Sequence, residues 1–114
     1  MKIYHNPRCS KSRQTLGILQ DKGIEPEVVE YLKTPPSGAE LKRILKKLGL
    51  KAEDIIRKGE ALYKEKYKGK TLTNEQWIKV LAENPVLIER PIVVTDNKAV
   101  LGRPPENVLE LVKK

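Results

Sequence analysis

The sequence contains little of what redox and metal sites most often require. Its 114 residues include one cysteine, one histidine and one methionine. A single cysteine excludes an internal disulfide and is typical of a reducing compartment. No group of histidine, cysteine and acidic residues has the spacing of a ligand set, so we predict neither a metal nor a bound cofactor.

Long apolar stretches are also missing. No run approaches the length of a membrane span, and the opening residues, Met1-Lys2-Ile3-Tyr4-His5, hold no apolar core of a secretory signal. We therefore predict a cytoplasmic protein without membrane association. Length and composition predict one globular domain, residues 1–114, and we expect it to be a monomer.

Positive charge is in excess, since 23 Lys and Arg residues face 15 Asp and Glu residues for a formal net charge of +8. Such an excess often marks a nucleic acid-binding protein. Here the lysines are scattered among acidic and apolar residues, and no basic arm, zinc finger or aromatic RNA-binding signature is present. We predict no nucleic acid partner and interpret the excess as a solvated surface that attracts small anions.

The hydrophobic pattern predicts alternating strands and helices. Strands at 2–4 and 27–32 flank a helix over 10–22, which makes a β-α-β unit with parallel strands. A helical block follows at about 37–84, and a hairpin over 92–101 leads into a final helix. We therefore expect an α/β fold, and this order of elements resembles a thioredoxin-like mixed four-stranded sheet with a helical insertion.

Two capping boxes predict helix starts within this block. They are Ser37-x-x-Glu40 and Thr73-x-x-Gln76, in which each hydroxyl accepts a backbone N–H three residues on. Between them, residues 52–58 are predicted to form a short helix.

The cysteine lies where the first predicted strand turns into the first predicted helix. The first N–H groups of a helix have no intrahelical partner and carry the positive end of its dipole, so they stabilise a thiolate and bind an oxyanion. Arg8, Lys11 and Arg13 add positive charge beside Cys9. The alternative is that Cys9 is a small buried apolar residue.

Three arginines, Arg57, Arg90 and Arg103, lie at the ends of predicted elements. A guanidinium group is always charged and binds an oxyanion through two parallel hydrogen bonds. Each arginine alone fits an ordinary surface position. Together with a cysteine at a helix start, they predict an anion-binding site.

His5 and Ser12 flank the cysteine. His5 is either a base or hydrogen-bond partner of the thiolate or a residue that satisfies the backbone of the turn. Ser12 is positioned to donate to the Cys9 sulfur, or else to bond the backbone of the first helical turn.

Ser12 also takes the place of the second cysteine of a Cys-x-x-Cys motif. An oxidised or substrate-bound Cys9 must therefore be resolved by an outside thiol, such as glutathione, a glutaredoxin or a thioredoxin. A phosphatase loop of the form Cys-x5-Arg is excluded, because position 15 is Thr15.

Six segments, taken in order, resemble the glutaredoxin-coupled arsenate reductase family over nearly the whole chain. They are His5-Asn6-Pro7-Arg8-Cys9-Ser10-Lys11-Ser12-Arg13, Tyr31-Leu32-Lys33-Thr34-Pro35-Pro36, Ile56-Arg57-Lys58, Glu83-Asn84-Pro85, Glu89-Arg90-Pro91-Ile92-Val93-Val94 and Gly102-Arg103-Pro104-Pro105.

The resemblance implies a thioredoxin-like fold and a reaction that reduces arsenate to arsenite, with glutathione as co-substrate and glutaredoxin as partner. It implies that Cys9 is the nucleophile, with His5 near it, and that the three arginines Arg57, Arg90 and Arg103 bind the oxyanion. It also favours a cis peptide bond before Pro91.

Three other functions remain open at this point. The protein is alternatively a general glutathione-dependent thiol reductase that acts on another substrate. It is alternatively a regulator of the Spx type that binds RNA polymerase, although Ser12 argues against the Cys-x-x-Cys switch of those sensors. A plain binding domain with an inert Cys9 is the third.

Overall fold

Strands and helices alternate in the computed structural model, which describes residues 1–112. The strands are β1 Lys2–His5, β2 Glu27–Glu30, β3 Ile92–Val94 and β4 Ala99–Leu101. The α-helices are α1 Ser10–Asp21, α2 Gly38–Leu48, α3 Ala61–Lys66, α4 Asn74–Glu83 and α5 Leu109–Val112. Short 3-10 helices cover Ala52–Ile55, Pro85–Leu87 and Pro105–Val108.

The four strands form one mixed sheet in the order β2-β1-β3-β4. β1 pairs with β2 in parallel, whereas the pairs β1–β3 and β3–β4 are antiparallel. Tyr4 lies opposite Ile92, and Ile92 lies opposite Leu101. The predicted α/β class, the four-stranded mixed sheet and the parallel β1–β2 pair are confirmed.

Two compact units make up the chain. One comprises Met1–Thr34 with the chain from Arg90 onward and contains the sheet, and the other is Pro35–Glu89, which is helical. The helical unit spans slightly more than the insertion predicted at about 37–84. That residues 1–114 act as a single domain stays a prediction.

The sheet unit has its core on the face covered by α1 and by the 3-10 helix Pro105–Val108. Ile3, Leu19, Val93 and Val108 are fully buried there. Ile3 and Val93 are cross-strand partners, so this apolar pair also holds the register of β1 and β3.

Capping determines where the helices of the second unit begin and end. Ser37 accepts the Glu40 N–H at 3.1 Å at the start of α2, and Gly49 ends that helix in the left-handed conformation, with φ of 70°. Thr73 and Gln76 form the complete capping box at the start of α4. Both predicted helix starts are confirmed.

The predicted helix over 52–58 is wrong beyond its first turn. The 3-10 helix ends at Ile55, because Ile56 adopts an extended conformation and forms an isolated antiparallel bridge with Ile88. Around this bridge, the Arg57 N–H donates to the Leu87 carbonyl at 2.8 Å. A pairing partner more than thirty residues away thus overrides the local helical preference.

The predicted strand over 27–32 is shorter in the structure. It ends at Glu30, because the N–H groups of Lys33 and Thr34 both donate to the Glu30 carbonyl and close a turn. In the part of the chain that the structure describes, no helix has the length and hydropathy required to cross a membrane.

Replacing Thr73 by alanine should lower the free energy of unfolding by about 1 kcal/mol, because the Gln76 N–H loses its 3.1 Å acceptor at the start of α4. Urea denaturation measures this difference. Thr71→Ala is the matched control, since Thr71 is exposed and precedes the helix. Equal stability of the two variants would contradict the assigned role of the cap.

Candidate functional site

The strand register brings three chain segments to one end of the sheet. β1 and β4 run in the same direction and β3 runs opposite to them. The residues after β1 and β4 and the residues before β3 therefore lie at the same end. These segments carry Cys9, Arg103 and Arg90, respectively.

Cys9 is the N-cap residue of α1, with φ of −93° and ψ of 121°. Its N–H donates to the Asn6 carbonyl at 2.9 Å, and its carbonyl accepts the Arg13 N–H at 3.0 Å, which starts the helix. The Cys9 side chain makes no capping hydrogen bond. The predicted position of the cysteine at the strand–helix junction is confirmed, and the N–H groups of the first turn have no intrahelical partner.

Cys9 combines two features: it is nearly buried, and it lies beside basic residues. The residue keeps 9% of its surface accessible, so it is almost buried. It also adjoins a segment of exposed basic residues, Arg8, Lys11 and Arg13. The Arg13 Nη1 donates to the Pro7 carbonyl at 2.8 Å, so this guanidinium group stabilises the loop that carries the thiol.

Asn6 organises the same loop. Its side-chain oxygen accepts the Arg8 N–H at 3.0 Å, while its main-chain carbonyl accepts the Cys9 N–H. Asparagine is favoured in such turns because its side chain can imitate a backbone carbonyl. The thiol is therefore held by a turn that is closed by two hydrogen bonds to one residue.

His5 and Ser12 form a buried pair next to this turn. The His5 Nδ1 lies 2.5 Å from the Ser12 Oγ, and the Ser12 Oγ accepts the Asn6 N–H at 3.1 Å. Ser12 is fully buried, and His5 is 6% exposed. Within residues 1–112, the Ser12 hydroxyl forms hydrogen bonds with His5 and Asn6 and not with the Cys9 sulfur.

The charge state of His5 follows from its burial. Burial lowers the pKa of His5 below its ordinary value of 6.5; the charge of Arg13 acts in the same direction, and that of Glu30 opposes both. The imidazole is then neutral at neutral pH. With its proton on Nε2, it can accept the Ser12 O–H at Nδ1, which leaves the Ser12 oxygen to accept the Asn6 N–H.

Arg90 and Arg103 adjoin each other at the end of the sheet that carries Cys9. The Arg103 Nη1 donates to the Arg90 carbonyl at 3.3 Å. Arg103 is exposed, whereas the Nε of Arg90 is buried. The peptide bonds Arg90-Pro91 and Arg103-Pro104 are both cis, so the isomer expected before Pro91 is confirmed.

Sequence reasoning did not identify the close contact around Gly102. Its N–H donates to the Pro91 carbonyl at 2.9 Å, and its carbonyl lies 3.4 Å from the Thr15 Oγ1 of α1. A Cβ atom at Gly102 would lie 2.6 Å from the Thr15 Oγ1 and 2.7 Å from the Pro91 Cγ. A glycine directly after a strand is a recognisable signal for such a close approach.

Arg57 belongs to the helical unit, where two carboxylates surround it. Its Nη1 lies 2.5 Å from the Glu60 Oε1, and its Nε lies 3.7 Å from the Glu89 Oε1. Neither glutamate was singled out from the sequence, although Glu60 at i+3 is a local signal for an ion pair. That Arg57 binds the oxyanion stays a prediction.

Among residues 1–112, no three histidine, cysteine or acidic side chains come together in a way that could hold a metal ion. The chemical groups at this end of the sheet include one thiol at a helix start, a neutral imidazole–hydroxyl pair and the guanidinium groups of Arg90 and Arg103, and the basic residues Arg8, Lys11 and Arg13 lie beside the thiol.

Comparison with known proteins identifies the class of this fold. A solved arsenate reductase from Vibrio cholerae superimposes with a TM-score of 0.91 at 51% identity, over 96% of this chain and 97% of that chain. The fold is therefore thioredoxin-like.

The sequence comparisons extend over nearly the whole chain. A model of the ArsC family matches residues 4–111. The chain is 54% identical over 114 residues to YfgD of Escherichia coli K12, covering 98% of this chain and 96% of that protein. It is 49% identical over 110 residues to an arsenate reductase of Neisseria meningitidis serogroup A, covering 95% and 94%. The chain belongs to the ArsC family.

The lowered pKa of His5 predicts a pH dependence of stability. The unfolded chain takes up a proton at His5 near 6.5, whereas the folded protein does so only at lower pH. Unfolding therefore binds a proton in this window, and the free energy of unfolding should fall as the pH is lowered through 6.5. Denaturation at a series of pH values measures the slope, and His5→Gln should flatten it.

Nuclear magnetic resonance gives an independent check, because His5 is the only histidine in the chain. A titration midpoint of its ring protons at or above 6.5 would refute the role assigned to burial.

Gly102→Ala should destabilise the protein by about 1–3 kcal/mol, because the added methyl group overlaps Thr15 and Pro91. Thermal and urea denaturation measure the loss. Gly59→Ala serves as the control, since no atom of residues 1–112 lies within 4 Å of its added Cβ. If both alanine variants are as stable as the parent protein, the close approach at Gly102 does not constrain the fold.

Proposed function

We propose that this protein reduces arsenate to arsenite, with Cys9 as the nucleophile. The observation that carries the proposal is the position of the lone thiol. Cys9 caps α1 at the sheet end where Arg90 and Arg103 also lie. Relatives of the same family, at 49% and 46% identity, are named arsenate reductases.

In the first step, the Cys9 thiolate attacks the arsenic of arsenate and a hydroxide leaves with a proton as water. A sulfur–arsenic bond replaces an oxygen–arsenic bond, and arsenic remains As(V). The first-turn N–H groups of α1 and the guanidinium groups of Arg90 and Arg103 donate to the oxygens and neutralise the charge of the transition state. We propose that Arg57 supplies a third guanidinium group.

In the second step, glutathione attacks the arsenic of this adduct and a second oxygen leaves as water. A glutaredoxin thiolate then attacks the glutathione sulfur, and the electron pair of that sulfur–arsenic bond stays on arsenic. Arsenic is reduced from As(V) to As(III), and two thiols are oxidised to one mixed disulfide. Hydrolysis of the Cys9–arsenic bond releases arsenite and restores the thiol.

The outside thiols are needed because this chain holds no second cysteine. Ser12 takes the position at which a resolving thiol would act, and a hydroxyl cannot form a disulfide. Its hydrogen bonds to His5 and Asn6 support a different role, in which it holds the turn that presents Cys9. Dependence on reduced glutathione is also consistent with action in the cytoplasm.

Cys9→Ser should abolish arsenate-dependent oxidation of glutathione, because a serine hydroxyl is not ionised at neutral pH and forms no reducible sulfur–arsenic bond. The assay couples arsenate, glutathione and glutaredoxin to glutathione reductase and follows NADPH. Ser10→Ala, a change at the adjacent exposed first residue of α1, is the matched control and should retain turnover.

Turnover in Cys9→Ser would refute the proposed nucleophile. If the parent protein consumes glutathione with a small disulfide substrate and not with arsenate, the protein is a general thiol reductase. Because Cys9 is the only cysteine, mass spectrometry of the intact protein with arsenate assigns any covalent adduct without ambiguity.

A further inference from the structure

We propose that Glu60 and Glu89 make the Arg57 subsite selective for oxyanions that carry a proton, such as arsenate and phosphate, over fully ionised sulfate. The inference rests on the proposed function in one respect, the assignment of Arg57 to an oxyanion. All three residues lie within the helical unit Pro35–Glu89.

The two carboxylates contact different nitrogen atoms of the Arg57 guanidinium group. Glu60 engages the Nη1 at 2.5 Å, and Glu89 faces the Nε at 3.7 Å. Within residues 1–112, the contacts of Arg57 with the two glutamates use Nη1 and Nε. The N–H groups of Nη2 can therefore donate to another acceptor. An oxyanion bound at Nη2 would therefore have carboxylate groups beside it.

Two backbone hydrogen bonds hold Glu60 and Glu89 next to Arg57. The Glu60 N–H donates to the Arg57 carbonyl at 3.1 Å, which closes a turn and places the two side chains three residues apart on one side. The Glu89 N–H donates to the Ile55 carbonyl at 2.8 Å, beside the bridge between Ile56 and Ile88. The two carboxylates thus approach Arg57 from segments that the bridge ties together.

All three side chains remain within reach of a small solute. The exposed fractions are 26% for Arg57, 28% for Glu60 and 27% for Glu89. A carboxylate has about four lone-pair sites, and the contact with Arg57 occupies one of those on Glu60. The remaining sites can accept a hydrogen bond from a ligand.

The chemistry of the ligand decides the selectivity. Arsenate and phosphate retain at least one O–H group at neutral pH, so one oxygen can accept from Arg57 while the O–H donates to a carboxylate. Sulfate has no proton to donate, and its oxygens would face a carboxylate with repulsion. A site built to accept a ligand O–H strongly rejects the analogue that lacks it.

The test compares phosphate and sulfate as ligands of the intact protein, since neither oxidises a thiol. Titration of the ¹⁵N-labelled protein follows the Nε–H resonance of Arg57, assigned by its loss in Arg57→Lys, and gives a dissociation constant for each anion. We expect sulfate to bind the parent protein about tenfold or more weakly than phosphate, the scale of one charge-assisted hydrogen bond.

Glu60→Gln should reduce this ratio several-fold, because the amide can donate to sulfate, whereas Glu60→Asp should retain most of it. Glu65→Gln is the matched control, since it removes the same charge from an exposed position of α3 and should leave the ratio unchanged. The corresponding Glu89→Gln variant tests the second carboxylate.

Equal affinities for phosphate and sulfate in the parent protein would overturn the proposal, as would a ratio that Glu60→Gln and Glu89→Gln both leave unchanged. No shift of the Arg57 resonance with either anion, in a protein that reduces arsenate, would refute the subsite and leave the proposed function standing. Selective binding in a protein that does not reduce arsenate would support the subsite and refute that function.

Discussion

The antiparallel pairing of β3 with both β1 and β4 is the constraint on which the site depends. It places the segments that precede β3 and follow β1 and β4 at one end of the sheet. The contact between Thr15 and Gly102 then joins residues 87 positions apart. A slip of one residue would turn the apolar pair Ile3–Val93 out of the core, so burial enforces the register that assembles the site.

The surroundings of Cys9 and those of Arg57 differ in charge. Near Cys9 the buried polar pair is neutral, because burial keeps the imidazole of His5 uncharged and lets it share one hydroxyl proton with Ser12. In the helical unit, Arg57 faces two carboxylates instead. A cation flanked by acids attracts a bare anion less strongly than an isolated cation does, and it offers hydrogen-bond acceptors to a protonated one.

Local patterns predicted most of the elements, because their signals lie within a few residues. The capping residues Ser37 and Thr73 start helices as expected, and Cys9 begins α1. The helix expected over 52–58 was wrong, because its second half pairs with a distant segment through the bridge at Ile56. Propensity carries no information about such a partner.

The sequence by itself determined that this protein has one thiol at a helix start and no second cysteine to form an internal disulfide, because cysteine count and helix capping are local properties. The tertiary structure alone decided which side chains meet. It placed Gly102 against Thr15 and brought Glu89 to Arg57. Those contacts depend on strand register and on a bridge between remote segments, and no short stretch of sequence encodes either.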